Sequence, residues 1–374
     1  MENAPTEPGS ARSQRHIPPW RAPLAAALSA ALLTACGAGE DLVSGGGEHT
    51  IRLSWQGTDQ SVHYLHGALV FKEHVEEASG GELTVETYPS EQLGKADDAL
   101  TMLRSGITEA AYVVPSYHPE LRYSVAWDLP LGLSSDRSAE GRWRAVHENG
   151  PVVDEYHEAG IVPIGALSAA NTELTTVGRP VPDLESVRGL RIRTGSDLHI
   201  EQARAMGGSG VTGTFTEMYE LMDRGVADAN LFQYGSMRST GVDSLIRHGT
   251  VGLDLPSTGV SVQMGRSFWD GLDEDKQRIV YEAGRVASAS ATDASIREAE
   301  EELELLRADG FETHAWSDED LEEFDALMDG VLDQWIEDIG GRAPEAVEQA
   351  RRLAEETEDD GVTDLESDFE SFPF

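Results

Sequence analysis

The chain is poor in thiols and in lysine. One cysteine, Cys36, occurs in 374 residues, so a disulfide scaffold is excluded. Lysine occurs three times, at Lys72, Lys95 and Lys276, and arginine supplies the rest of the positive charge. Against 68 acidic residues this leaves a formal net charge of −40, which argues against a nucleic-acid partner. Two sources of the acidity stand open: the hydrated surface of a halotolerant organism's protein, or GC-rich coding in a protein that must stay soluble outside the cell. Catalytic signatures are also missing. There is no phosphate-binding P-loop and no G-x-G-x-x-G after a strand, and GGSGV around Ser209 lacks the second glycine of a nucleophile elbow. Carboxylate pairs are so frequent here that none points to acid–base chemistry. The chain therefore reads as a non-enzyme without a cofactor.

What is present begins with an export signal. Arg12, Arg15 and Arg21 form a basic region ahead of the apolar run from Leu24 to Ala35, which is shorter than the roughly 20 residues a membrane span needs. Leu33-Thr34-Ala35-Cys36 resembles the bacterial lipobox, so Cys36 is the expected lipidation site, with a stray cysteine after a leader as the alternative. On this reading residues 1–35 are a lipoprotein signal peptide and the Gly-rich stretch 36–49 is a flexible tether. The protein would then sit extracytoplasmically, anchored to the outer face of the bacterial cell membrane, on the periplasmic side if the cell has an outer membrane.

With 39% hydrophobic residues the remainder can build two cores. TIRLSW places Ile51, Leu53 and Trp55 on one face, and a helical pattern from about Val62 to Ala78 follows. ELTVETYP reads as a strand, KADDALTMLRSG as a helix ending at Gly106, and EAAYVVP as a strand. This β-α-β-α-β order predicts a parallel sheet covered by helices. A second series runs through IVPIGAL, LRIRT, DLHIEQARAM, TEMYELMDRG and ADANLFQY, and STGVSVQM adds a strand. From the acidic start at Asp273 one apolar stripe continues to Gly310, predicting a helix of roughly 50 Å that touches both units. Two more helices are expected, Asp320 to Ile339 and Pro344 to Ala354. The fold class is α/β. The acidic end, 355–374, reads as a solvated tail, with docking of Phe369, Phe372 and Phe374 as the alternative.

Two clusters invite a ligand. His63 and His66 share a helical face at i, i+3 but lack a third ligand at suitable spacing, so no metal is expected there. In RGLRIRTGSD, Arg191 and Arg193 share one face of a short strand, and Arg193 stands at its C-terminal end, where ligands of open α/β sheets bind. A guanidinium there is a natural clamp for an anion, its paired donors matching the two oxygens of a carboxylate.

The tracts YPSEQLG, LTMLRSG, WDLPLGL, VRGLRIRTGS, FTEMYELMDRGVADA and LDEDKQRIVYEA, in this order from about Thr50 to Trp316, resemble the DctP-like substrate-binding proteins of TRAP-type (tripartite ATP-independent periplasmic) transporters. The resemblance implies a two-lobed periplasmic-binding-protein-like fold with a hinge and a long lobe-spanning helix. It implies capture of a small organic acid and delivery to integral-membrane permease subunits. Lobe 1 would comprise 50–170, completed by about 259–300, and lobe 2 would comprise 171–258, completed by about 301–354. The family's clamp arginine falls on Arg193, and Phe215 would face the ligand. Two departures are visible: NTELTT offers Glu173 where acidic-sugar binders carry a second arginine, and the second lobe continues to Phe232 and Tyr234. Glu173 could read a cationic part of the ligand, face solvent, or pair with Arg179. Gln56, His63 and Tyr112 are further wall candidates, Tyr112 equally a core residue. A receptor-feeding lipoprotein of the same fold is the alternative function, and an extracellular enzyme the more remote one.

Overall fold

In β1 (His49–Ser54) side chains alternate: Ile51 and Leu53 are buried, while Arg52 lies on the other face, paired with Glu109. The computed structural model describes residues 49–132, 135–357 and 369–374; the leader, Cys36 and the tether lie outside the described residues. Further strands are β2 (Leu83–Tyr88), β3 (Ala110–Val113), β4 (Ile161–Leu167), β5 (Glu173–Thr176), β6 (Arg191–Thr194), β7 (Ser209–Thr212), β8 (Ala229–Phe232), β9 (His248–Thr250), β10 (Val260–Gly265) and β11 (Glu312–His314). They form two sheets, one of five strands ordered β2-β1-β3-β10-β4 and one of six ordered β11-β9-β5-β8-β6-β7. In the first, β1 is parallel to β2 and β3, while β10 runs antiparallel to β3 and β4. In the second, β6 is parallel to β7 and β8, and β5 is antiparallel to β8 and β9. The chain is thus a two-lobed α/β protein, one sheet to each lobe.

Three stretches carry the chain between sheets: 168–172 after β4, 251–259 after β9, and the helix Glu274–Ala308. At 35 residues this helix is roughly 50 Å long, and Asp273 caps it by accepting from the Lys276 backbone N–H at 3.0 Å. It touches both lobes closely. Gly284 packs directly on the carbonyl of Ile164 in β4, and Ala299 lies against Gly235 beyond β8.

Two departures from the expected layout follow from apolar packing. The segment around Tyr123–Leu129, early in the chain, shares a core with Leu190 and Ile192 of the second lobe. The helix Ala343–Glu356 joins that core through Ala346 and Val347, while its far end covers Trp127 and Ala145 through Ala350 and Leu353. Both elements therefore bridge the lobes rather than complete one of them.

The chain's end is also corrected. Residues 369–374 are docked, not solvated: Phe372 is buried against Trp269 and Tyr281, Phe374 stacks on His157 at 4.3 Å, and Arg278 lies 4.5 Å over the Phe369 ring. Three aromatic rings supply enough apolar area to hold the end of an acidic segment on the first lobe. The acidic stretch 358–368 lies outside the described residues.

Candidate functional site

The site is built where strand ends from both sheets face one another. Arg193 is the third residue of β6, which the turn at Gly195 and the helix Asp197–Ala205 terminate. Ser196 caps that helix by accepting from the His199 N–H. Alternation in β6 buries Ile192 in the lobe core and turns Arg193 the other way, yet Arg193 is only 1% exposed. Its Nη2 donates to the Gly213 carbonyl at 2.7 Å, and its guanidinium lies 5.4 Å over the Phe232 ring. Among the described residues Nε and Nη1 have no partner. Burial pushes its pKa down, opposed by the nearby Tyr117 and Glu217, but an arginine keeps its charge. A buried cation with two free donors is costly unless an anion completes it.

Around it lies a cavity of about 60 Å³, several times what one buried water occupies. The first lobe contributes Trp55, Gln56, His63, Tyr112 and Tyr117; the second contributes Arg193, His199, Phe215, Phe232 and Gln233. Trp55 and Tyr112 pack at 4.5 Å, and Phe215 and Phe232 at 5.8 Å, so the wall is largely aromatic. His63 is held in one tautomer. Its Nε2 lies 3.3 Å from the Ser168 carbonyl, which only accepts, leaving Nδ1 to accept from the Tyr112 hydroxyl at 3.1 Å. Burial lowers the His63 pKa to about 4, so this ring is neutral near pH 7 and is no cation for a ligand. His199 is likewise lowered to about 4, by burial first and by the Arg193 charge second, and neither ring nitrogen has a partner among the described residues.

The cleft rim is set by the YPSEQLG turn. Ser90 and Glu91 both adopt positive φ, at 54° and 58°. Their N–H groups donate to Gly57 and Trp55, which ties the turn to the end of β1. From there the Glu91 carboxylate accepts from Thr216 of the other lobe at 3.2 Å.

Of the residues singled out from sequence, Arg193, Phe215, Gln56, Tyr112, Phe232 and His63 line this cavity, and Glu173 and Tyr234 do not. Glu173 lies beside β9, where its carboxylate meets Thr250 Oγ1 at 2.6 Å and accepts from the Gly252 and Leu253 N–H groups at 2.8 and 3.3 Å. It fastens the chain leaving β9, and Arg179 is engaged elsewhere, on the Arg188 carbonyl. The idea that Glu173 reads a cationic ligand group is therefore withdrawn; the cavity wall carries no Asp or Glu among the described residues. Tyr234 turns into the second lobe's core, its hydroxyl donating to the Thr250 carbonyl and its ring against Phe311. Tyr117, His199 and Gln233 were not singled out. The signal for His199 is its place in the first turn of the helix that follows β6.

Burial pushes the Glu173 pKa from 4.5 up to about 7, against the pull of its hydrogen bonds. The folded chain then holds a proton here, between about pH 4.5 and 7, that the unfolded chain has released. Stability from this group is complete below that window and is lost as pH rises through it. Glu173→Gln mimics the protonated form: its Oε1 can accept from both N–H groups and its amide can donate to Thr250. The variant should melt within a degree or so of wild type at pH 5 and about 2–6 °C higher at pH 8.5. A variant that melts lower than wild type at pH 8.5 would mean that the ionised carboxylate stabilises the fold.

Two sheets, three crossings and a cavity lined from both sides define a two-lobed binding protein. The chain belongs to the bacterial extracellular solute-binding protein family 7 (DctP), whose pattern matches residues 56–338. Its members are substrate-binding proteins of transporters, not enzymes. The chain is 25% identical over 294 residues to the C4-dicarboxylate-binding periplasmic protein DctP of Rhodobacter capsulatus, covering 76% of this chain and 86% of that one. Its fold matches a marine metagenome TRAP solute-binding protein specific for aromatic acid ligands, solved with metahydroxyphenylacetate, at a TM-score of 0.75 and 17% identity, covering 83% and 99% of the two chains. It also matches a TRAP periplasmic solute-binding protein of Bordetella bronchiseptica with bound mandelate, at 0.74 and 22% identity, covering 82% and 99%. No helix among the described residues is long and apolar enough to cross a membrane.

Proposed function

We propose that the protein captures a small aromatic or otherwise apolar monocarboxylate between its lobes and delivers it to a TRAP-type membrane permease. The observation that carries this reading is Arg193, buried in the cavity with Nε and Nη1 unpartnered. A carboxylate placed there would accept from both donors, and the neutral His199 beside it can add one more. Five aromatic residues in the wall, Trp55, Tyr112, Tyr117, Phe215 and Phe232, suit an apolar body. A second carboxylate would be buried opposite no further Arg or Lys in the wall, at a cost of several kcal/mol. This favours the aromatic acids and mandelate bound by the structural neighbours over the C4-dicarboxylates of the Rhodobacter relative. The net charge of −40 does not forbid an anionic ligand, because exposed charge is screened over about 8 Å at physiological ionic strength.

On this proposal the crossings at 168–172 and 251–259 act as hinges and the ligand biases an open–closed equilibrium. Residues 1–35 would be removed and Cys36 lipidated, anchoring the protein on the outer face of the cell membrane. The direct check is a thermal-shift titration of the protein with aromatic acids, keto acids and dicarboxylates, each beside its uncharged amide. An aromatic monocarboxylate should raise the midpoint progressively with concentration, as mass action requires, and its amide should not. Equal effects of acid and amide, or no stabilising acid in the panel, would refute the carboxylate clamp.

A further inference from the structure

The strand pair β9–β11 brings together three side chains that solute binding does not use. In parallel register Glu312 stands opposite His248, and His314 stands opposite Thr250. Side chains two apart on a strand share a face, so Glu312 and His314 project together beside His248. One ligand atom from each of the three lies within 4.8 Å of the others. The two imidazoles are 5.8 Å apart and tilted by 36°, and His248 Nδ1 is 3.3 Å from the Glu312 carboxylate. His314 Nε2 has no hydrogen-bond partner among the described residues, and His248 Nδ1 has only the Glu312 carboxylate near it, without a hydrogen bond's alignment, although both atoms are shielded from solvent. A histidine without a metal normally satisfies its shielded ring nitrogens with hydrogen bonds. Arg307 lies close in the chain but donates to Thr313, the residue between, whose side chain alternates to the opposite face.

We propose that His248, Glu312 and His314 form a binding site for a divalent transition-metal ion of zinc's class on the edge of the second sheet. Two imidazoles and one carboxylate are the donor set such an ion takes, with a solvent molecule as fourth ligand, whereas Ca²⁺ and Mg²⁺ prefer oxygen throughout. Contraction of the ligand atoms by about 1 Å would bring them to the spacing that metal–ligand bonds of ~2.0–2.2 Å impose. The consequence is local. β9 and β11 are three residues each, and the Val251 N–H, at the start of the crossing to β10, donates to the His314 carbonyl. A metal there would staple a short edge pair next to one of the crossings between lobes.

The test is a calorimetric titration of the chelator-stripped full chain with Zn²⁺ in a large excess of Ca²⁺, which occupies scattered surface carboxylates. One saturable site is expected, with a rise of several degrees in the unfolding midpoint and, on substitution with Co²⁺, a visible absorption band of nitrogen ligation. His248→Asn and His314→Asn, which remove direct ligands, should each weaken uptake by more than the roughly 10–100-fold that loss of an outer-shell partner alone costs, while leaving acid binding in the cleft unchanged. Should either variant fold poorly, Glu312→Gln at an exposed position reads the same site. Absence of a saturable Zn²⁺ site in wild type, or equal uptake by these variants, would overturn the proposal.

Discussion

Arg193→Ala is expected to weaken carboxylate binding by about 30-fold to several thousandfold, corresponding to the loss of about 2–5 kcal/mol on truncating one partner of a buried, hydrogen-bonded charge pair. The large effect follows from geometry: the guanidinium is 1% exposed, and two of its donors are free to meet the ligand. Arg193→Lys separates charge from shape. It retains a cation but not the planar fork, so it should recover only part of the affinity. The unliganded Arg193→Ala protein should melt no lower than wild type, because the substitution removes a buried charge that lacks a counter-ion. Titration calorimetry and unfolding midpoints measure the two halves independently. Unchanged affinity in Arg193→Ala would remove the clamp assignment outright.

Gly284→Ala should destabilise the fold by about 2 kcal/mol or more and lower the unfolding midpoint by roughly 4–10 °C. Alanine ordinarily improves a helix interior by about 1 kcal/mol relative to glycine, so an isolated helix would predict the opposite sign. Here an added Cβ would lie 1.4 Å from the Ile164 carbonyl oxygen, inside any contact distance. Backbone, not a flexible side chain, is the obstacle, and although Ile164 falls at a register break, β4 is held against β10 on both sides of it, through Pro163 and Gly165, so relief requires the 35-residue helix to move off the first sheet. Gly330, on the helix Asp318–Ile339 with open space where its Cβ would be, is the control. Gly330→Ala should be neutral or slightly stabilising. A stabilising Gly284→Ala would show that the helix does not approach β4 this closely.

Local pattern made much of this fold legible. Period-two alternation marked β1, and the change to helical spacing after it marked the first crossover. Asp273 announced the long helix because a capping carboxylate ahead of acidic residues suits the positive end of a helix dipole. The strands β7, β9 and β11 escaped notice because each has only three or four residues, polar or glycine-rich, with too few positions to express a period. They exist because a neighbouring strand supplies their hydrogen bonds, which is a non-local fact. Arg193 was legible for a similar reason in reverse: its position at a strand's end, before a turn and helix, is a property of the local sequence.

Glu173 shows where such reading stops. Its chain position is compatible with a cavity wall, yet the partners that claimed it, Thr250, Gly252 and Leu253, lie almost eighty residues further on. The three terminal phenylalanines looked like part of an acidic tail until Trp269, Tyr281 and His157 provided surfaces for them. The alternation of strands and helices, the absence of catalytic motifs and the position of Arg193 at a strand end are legible in the sequence, because these depend on neighbours a few residues apart. Which polar side chains face the cavity, which fasten the chain, and which meet on the sheet edge emerge only from the folded arrangement. Those outcomes depend on desolvation and on hydrogen-bond partners that distant segments bring, and no local pattern encodes them.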